Sequence, residues 1–145
     1  MNEMKVAIIG SKGEGKNELI KNLTKNATNV AFNGMHAGID IGYTTSNGKK
    51  VYLFGASSEE RKRFFEEVIP AGIDLGVVIV DSSKGISKKD QSVIEEVKGR
   101  NLPCMLFLND AKESEFHSFG KNVVHASAEN SVSVNKFLKF LTKTN

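Results

Sequence analysis

The stretch with the most specific chemistry is Gly10-Ser11-Lys12-Gly13-Glu14-Gly15-Lys16, which follows an apolar run and precedes apolar residues recurring at helical spacing. Its form, Gly-x-x-x-x-Gly-Lys, is the first part of a phosphate-binding loop, and a strand before and a helix after are the context such a loop needs. Glycines let the backbone curl so that successive N–H groups point into one concavity. The amino terminus of the following helix adds its positive dipole, and Lys16 can reach the outer phosphates of a nucleotide. The motif normally closes with Ser or Thr, whose hydroxyl binds Mg²⁺. Here that place holds Asn17, a hard oxygen donor on a longer and bulkier side chain. Gly10, Ser11, Lys12, Gly13, Glu14, Gly15, Lys16, Asn17 and Glu18 are therefore the candidate phosphate-binding residues, with Asn17 the candidate Mg²⁺ ligand. The plainer alternative is a glycine-rich turn carrying a surface lysine, and the placement between strand and helix favours the phosphate reading.

Other chemistry-bearing residues form no comparable pattern. His36, His117 and His125 have no metal-ligand spacing. A lone Cys104 inside an apolar run reads as a core thiol and cannot belong to a disulfide framework. The 20 Lys and Arg against 17 Asp and Glu are scattered, so a net charge of +3 is mild surface basicity and no argument for nucleic acid. No apolar run is long enough to span a bilayer. The ends, Met1-Asn2 and Thr144-Asn145, carry no lipidation signal, and a cytoplasmic protein without a membrane anchor is expected.

Elements that could position the loop alternate from end to end. Met4–Ile9 and Leu75–Val80 read as strands buried on both faces, as does Leu102–Leu108. Leu19, Ile20 and Leu23 give a first helix that fades into the polar region Asn22–Asn29. Ser46-Asn47-Gly48 between Gly38–Thr45 and Lys49–Phe54 predicts an antiparallel hairpin. Ser58–Ile69 predicts a helix with Phe64, Phe65, Val68 and Ile69 inward, and Ser87–Lys98 another with Val93, Ile94 and Val97 inward. A short helical segment is expected before a strand at Val123–His125, and Val134, Phe137, Leu138 and Leu141 mark a last helix. With 145 residues and no linker, one α/β domain is expected, its sheet wound by right-handed crossovers and its ligand beyond the carboxyl ends of the strands.

With that loop in place, the chain resembles the Ras-like small GTPase superfamily over almost its whole length. Val51-Tyr52-Leu53-Phe54-Gly55 followed by Glu60-Arg61 is similar to the Tyr-Leu-Phe-Gly-Thr-Pro-Gly-Gln-Glu-Arg-Phe segment of the prokaryotic and archaeal branch containing MglA-like and conservon GTPases. Asp81-Ser82-Ser83 resembles the Asp-Ser or Asp-Thr after the fourth strand of these proteins. Ser127-Ala128-Glu129 resembles their Ser-Ala-Lys loop, and Asn109 opens the place of the Asn-Lys-x-Asp box. The resemblance implies a three-layer P-loop fold with a mostly parallel six-stranded sheet and one antiparallel strand. It implies GTP or GDP as ligand, with Asn109, Asp110, Ser127, Ala128 and Glu129 around the base. It also implies a small partner protein of the Roadblock type, met through the Ser58–Ile69 helix.

Several positions depart from the family pattern. Gly55 agrees with that branch, where other GTPases have Asp, whereas Met35 and His36 stand where the branch has paired threonines. Ser58 replaces a glycine that approaches the γ-phosphate, and Glu59 replaces the glutamine that orients water, which makes Glu59 the candidate catalytic residue. Lys112 replaces the Asp that accepts two hydrogen bonds from guanine, and a cation cannot accept them. The expectation is a GTP/GDP-binding regulatory domain with weak or absent hydrolysis. The alternative is a pseudo-GTPase that keeps the fold as an interaction scaffold without nucleotide.

Overall fold

The computed structural model describes residues 2–10, 15–24, 28–32, 35–56, 61–110 and 115–143, with backbone alone at 28–32, 35–40, 56 and 61. Strand β1 (Glu3–Gly10) leads into α1 (Lys16–Leu23), then β2 (Thr28–Phe32), β3 (Met35–Ser46) and β4 (Lys49–Ala56). An irregular helix α2 covers 61–71, with Arg61–Arg63 α-helical, Phe64–Val68 π-helical and Ile69–Ala71 in 3-10 form. Then come β5 (Leu75–Asp81), α3 (Lys88–Gly99), β6 (Cys104–Asn109), β7 (His117–Ser118), β8 (Val123–Ala126) and α4 (Ser131–Lys143).

The strands form one eight-stranded sheet in the order β2-β3-β4-β1-β5-β6-β8-β7. The central five, from β4 to β8, run parallel, so their carboxyl ends share one edge. The alternation of side chains along each strand sends apolar residues to both faces. On β1, Met4, Val6 and Ile8 face a layer made by α1 and α4, where Leu19, Ile20, Phe137 and Leu141 are buried. Ala7 and Ile9 face the opposite layer, with Phe64, Phe65 and Ile69 of α2 and Val93, Ile94 and Val97 of α3. Phe107 of β6 meets Phe137 of α4 edge to face at 4.8 Å, an arrangement favoured by the ring quadrupoles. This is the three-layer α/β architecture expected.

The sheet holds more strands than the expected six. Thr28–Phe32, expected in part as a fading helix, is an edge strand antiparallel to β3. Helix α1 stops at Leu23 because Thr24 adopts extended backbone while its N–H still donates to the Ile20 carbonyl. The other addition is β7, where a short helical segment was expected: residues 115–122 carry no helix, and His117 pairs with His125 across an antiparallel hairpin. Edge strands such as these need one bonding partner and no continuous apolar run, so periodicity does not reveal them. The antiparallel pairs are thus β2–β3, β3–β4 and β7–β8.

Where the local code is strong, the structure follows it. Asn47 and Gly48 both take positive φ, 51° and 77°, and Ser46 pairs with Lys49, the geometry of a two-residue hairpin of primed type. In α2 the Ile69 N–H donates to the Phe64 carbonyl, five residues back, which is the π turn itself. The Phe65 carbonyl accepts from Nη1 of Arg100, the residue just past α3, at 2.8 Å. No helix among the described residues is long and apolar enough to cross a membrane.

Helix α3 opens on a reciprocal capping box: Ser87 Oγ accepts from the Asp90 N–H at 3.1 Å, and Asp90 Oδ2 accepts from the Ser87 N–H at 3.0 Å. Replacing Ser87 by Ala should remove one of these and cost about 1 kcal/mol. A fall in melting temperature of about 4 °C by calorimetry is the expected outcome.

Candidate functional site

The carboxyl edge of the parallel strands gathers Gly10 at the end of β1, Gly55 near the end of β4, Asp81 of β5, Asn109 of β6 and Ala126 of β8. The register confirms the alignment: Ile8 pairs with Gly55, Gly10 with Ile79, Asp81 with Asn109 and Asn109 with Ala126. Sequence-distant residues therefore meet where ligands of such sheets bind.

Gly15 sits immediately before α1 with φ +96°, a left-handed conformation that favours glycine. A Cβ added there would lie 2.5 Å from Asn109 Nδ2, so the turn also needs glycine for space. Asn109 is the hub of the site. Its Oδ1 accepts from the Ala128 N–H at 2.9 Å, while its carbonyl accepts from Ser82 Oγ at 3.2 Å. One amide side chain thus touches both the start of α1 and the loop between β8 and α4. Ala128 is clasped a second time, because Asn22 of α1 donates from Nδ2 to its carbonyl at 2.7 Å. The Ser127 N–H donates to Ser133 Oγ at 3.0 Å, and the Ser133 N–H is capped by Asn130 Oδ1 at 3.0 Å. Beside the hub, the Asp110 N–H donates to the Ala126 carbonyl, and the Asp110 carboxylate lies 3.8 Å from His125 Nε2.

Lys16 is partly exposed at the first turn of α1, with Asn17 and Glu18 exposed beside it and Glu129 exposed in the facing loop. Gly10, Gly15, Lys16, Asn109, Asp110, Ser127 and Ala128 thus come together at one edge. Ser11, Lys12, Gly13, Glu14, Ser58, Glu59 and Lys112 lie outside the described residues, and of Met35 and His36 only the backbone is described. The Asp81 carboxyl is held below its usual range by the Ser83 hydroxyl and N–H, so it is ionised at neutral pH and turned onto its own turn. Burial raises the Cys104 thiol, which disfavours the reactive thiolate. His117 and His125 stack across the β7–β8 hairpin with ring centroids 6.4 Å apart. No cluster of His, Cys, Asp and Glu able to hold a metal is present among the described residues.

Fit to Mg²⁺ can be tested at two positions. In P-loop NTPases the ion is held by the loop Ser or Thr and by an Asp at the end of a neighbouring strand. The first position is the exposed Asn17. The second is Gly55, where a Cβ would lie 2.6 Å from Ile20 Cδ1, a methyl of the buried core, and 3.5 Å from Lys16 Cδ. A side chain there would have to displace the Ile20 methyl, and neither position carries a charged ligand, so the two do not form the usual Mg²⁺ shell.

Asn22, Ser133 and Ile20 escaped sequence reasoning. Asn22 and Ser133 read as polar helix positions, and Ile20 reads only as core. Their roles arise from the packing of α1 against β4 and the loop after β8, and no local signal marks them. The hub predicts that Asn109→Ala frees the Ala128 amide. Hydrogen exchange there should quicken about three- to tenfold, a bond worth about 1 kcal/mol, while the Ile8 amide in β1 keeps its rate.

No family model matches the chain. The uncharacterized protein MJ1339 of Methanocaldococcus jannaschii is 34% identical over 122 residues, covering 81% of this chain and 79% of that protein. Among solved structures, the G domain of the T. maritima FeoB iron transporter superposes with a TM-score of 0.72 at 17% identity, covering 99% of both chains. The FeoB cytosolic domain gives 0.78 at 14% identity in its apo form and 0.76 at 16% in a GDP form, each covering 98% of this chain. This chain spans 64% and 63% of those two cytosolic domains, less than two thirds of their length. The structural likeness makes the fold that of the P-loop G domains, and the sequence identity places the chain in the same family as the M. jannaschii protein MJ1339.

Proposed function

We propose that this chain is a single small regulatory domain that binds a guanine nucleotide, and a diphosphate more readily than a triphosphate. The observation that carries this is the Asn109 clasp, which sets the glycine turn at Gly15 and the loop at Ala128 side by side at the carboxyl edge of the sheet. Gly10, Ser11, Lys12, Gly13, Glu14, Gly15 and Lys16, with Asn17 and Glu18 opening α1, then surround the α- and β-phosphates. Their amides and the Lys16 ammonium supply the positive field. Asn109, Asp110, Ser127, Ala128 and Glu129 line the base. The GDP form of the T. maritima FeoB cytosolic domain, which shares the fold, supports a guanine nucleotide as ligand.

Groups that serve a γ-phosphate are among those replaced: Met35 and His36 for threonines, Ser58 for glycine, Glu59 for glutamine. Phosphoryl transfer depends on positioning and electrostatic stabilisation, so hydrolysis is weak or absent, with Glu59 the residue nearest a catalytic role by alignment. The branch resemblance supports a cytoplasmic domain of MglA-like type that meets a Roadblock-type partner through α2. A pseudo-GTPase without nucleotide is the second reading, and one observation favours it. The amides of Ser127 and Ala128 are already bonded within the chain, to Ser133 and Asn109, so the base pocket is satisfied without a base.

Titration calorimetry with GDP, GTP, ADP and ATP separates the two readings. GDP binding abolished by Lys16→Ala is expected, and no binding of any of the four at millimolar ligand would sink the first reading. Because Lys112 cannot accept from guanine, the GDP preference over ADP should stay below about a thousandfold, about 4 kcal/mol. Single-turnover phosphate release from GTP should run at or below the order of 10⁻⁴ s⁻¹ typical of unaided small GTPases.

A further inference from the structure

Resting on the nucleotide reading, we infer that this site binds its diphosphate without a divalent cation, because the two positions that support the cation in other P-loop NTPases carry here an apolar contact and an exposed amide. The apolar contact is specific. Gly55 lies on β4 in register with Ile8 of β1, directly beside the strand that feeds the phosphate-binding loop. The Ile20 methyl occupies the space above it, 2.6 Å from where a Cβ would stand, and Ile20 itself is 1% exposed. Ile20 lies one helical turn beyond Lys16 on α1, so the methyl sits at the root of the lysine whose ammonium faces the phosphates. An ion placed there would have a hydrocarbon wall where it needs a carboxylate or a water held by one, and a hard cation sheds its waters reluctantly.

Among the described residues, other candidate supports are poorly suited. Asp81 lies two strands from β4 across the sheet, and its Oδ1 accepts from the N–H and hydroxyl of Ser83 at 3.0 and 2.6 Å, which turns the carboxylate onto its own turn. Asn17 offers a single neutral oxygen on an exposed side chain. What balances the diphosphate charge is the chain itself: the Lys16 ammonium and the amino terminus of α1. The Ile20–Gly55 contact also ties the helix carrying Lys16 to the strand leading toward α2. The link between nucleotide and α2 then runs through packing rather than through metal coordination.

Calorimetric titration of the full chain with GDP, in excess Mg²⁺ and again in excess EDTA, tests this directly. The two dissociation constants should agree within about fivefold, about 1 kcal/mol. Tightening by Mg²⁺ beyond that overturns the inference while leaving the nucleotide reading intact. Absence of GDP binding in both buffers overturns the nucleotide reading, and this inference with it. A second arm removes the methyl and restores the carboxylate, Ile20→Ala with Gly55→Asp. If this variant binds GDP, Mg²⁺ should tighten it by about tenfold or more, and a variant that binds GDP indifferently to Mg²⁺ would show that the Ile20–Gly55 contact is not the cause. Should the double variant fail to fold, the wild-type comparison still decides.

Discussion

The site depends on the side chain of Asn109. A primary amide presents a donor pair and an acceptor on one rigid plane, so it can satisfy two chain segments that approach from opposite sides. At the end of β6 this plane lies beside both the turn at Gly15 and the loop at Ala128, bonding to the loop and packing against the turn. Without it the buried loop would leave the Ala128 N–H unmet, which costs more than a formed bond returns. The parallel strands bring the segments into one neighbourhood, and the amide sets their spacing. Asn22 from the neighbouring helix repeats the arrangement on the far side of Ala128, which makes the loop after β8 a fixed wall.

Beneath that wall, the sheet's two apolar faces explain why the site lies at an edge and nowhere else. Strands β1 and β5 are covered on both sides by helices, and their side chains are spent on packing. Only the strand ends remain to carry polar chemistry. Asp81, Asn109 and the glycine turn all fall within the last residues of a strand or just beyond it. The same constraint puts Ile20 in an unusual place. It is a core residue by burial, yet its outermost carbon lies against Gly55, close to the carboxyl edge of the sheet.

Elements were legible in the sequence where one local rule acted alone. Val77–Val80 could only be a strand buried on both faces, and Asn47-Gly48 could only be a tight turn, since two successive positive φ values suit that pair best. The turn at Gly15 was legible because a glycine between a strand and a helix marks a change of backbone direction. Edge strands were not legible: Thr28–Phe32 and His117–Ser118 owe their conformation to a neighbour's hydrogen bonds and not to their own pattern. Nor could residue types alone reveal that Asn109 bonds Ala128 while Ser133 takes the Ser127 amide, because partners in tertiary contact leave no mark on spacing. The substitutions at Asn17 and Gly55 were visible, but the methyl that makes the second one structural was not.

The wide turn in α2 bears on how that helix can lie against the sheet at all. At about 100° per residue, Phe64 and Ile69 on a regular α-helix would point about 140° apart, and one of them would face water. A turn closed five residues back brings them nearly into phase. Phe64, Phe65 and Ile69 are all buried, with Glu66 and Glu67 between them exposed. The helix therefore carries a built-in phase correction of one residue, held open from the neighbouring helix by the Arg100 guanidinium on the Phe65 carbonyl. Removing a residue from this stretch would let the wide turn relax to an ordinary α turn. Adding one elsewhere in the helix would have no such slack to absorb it.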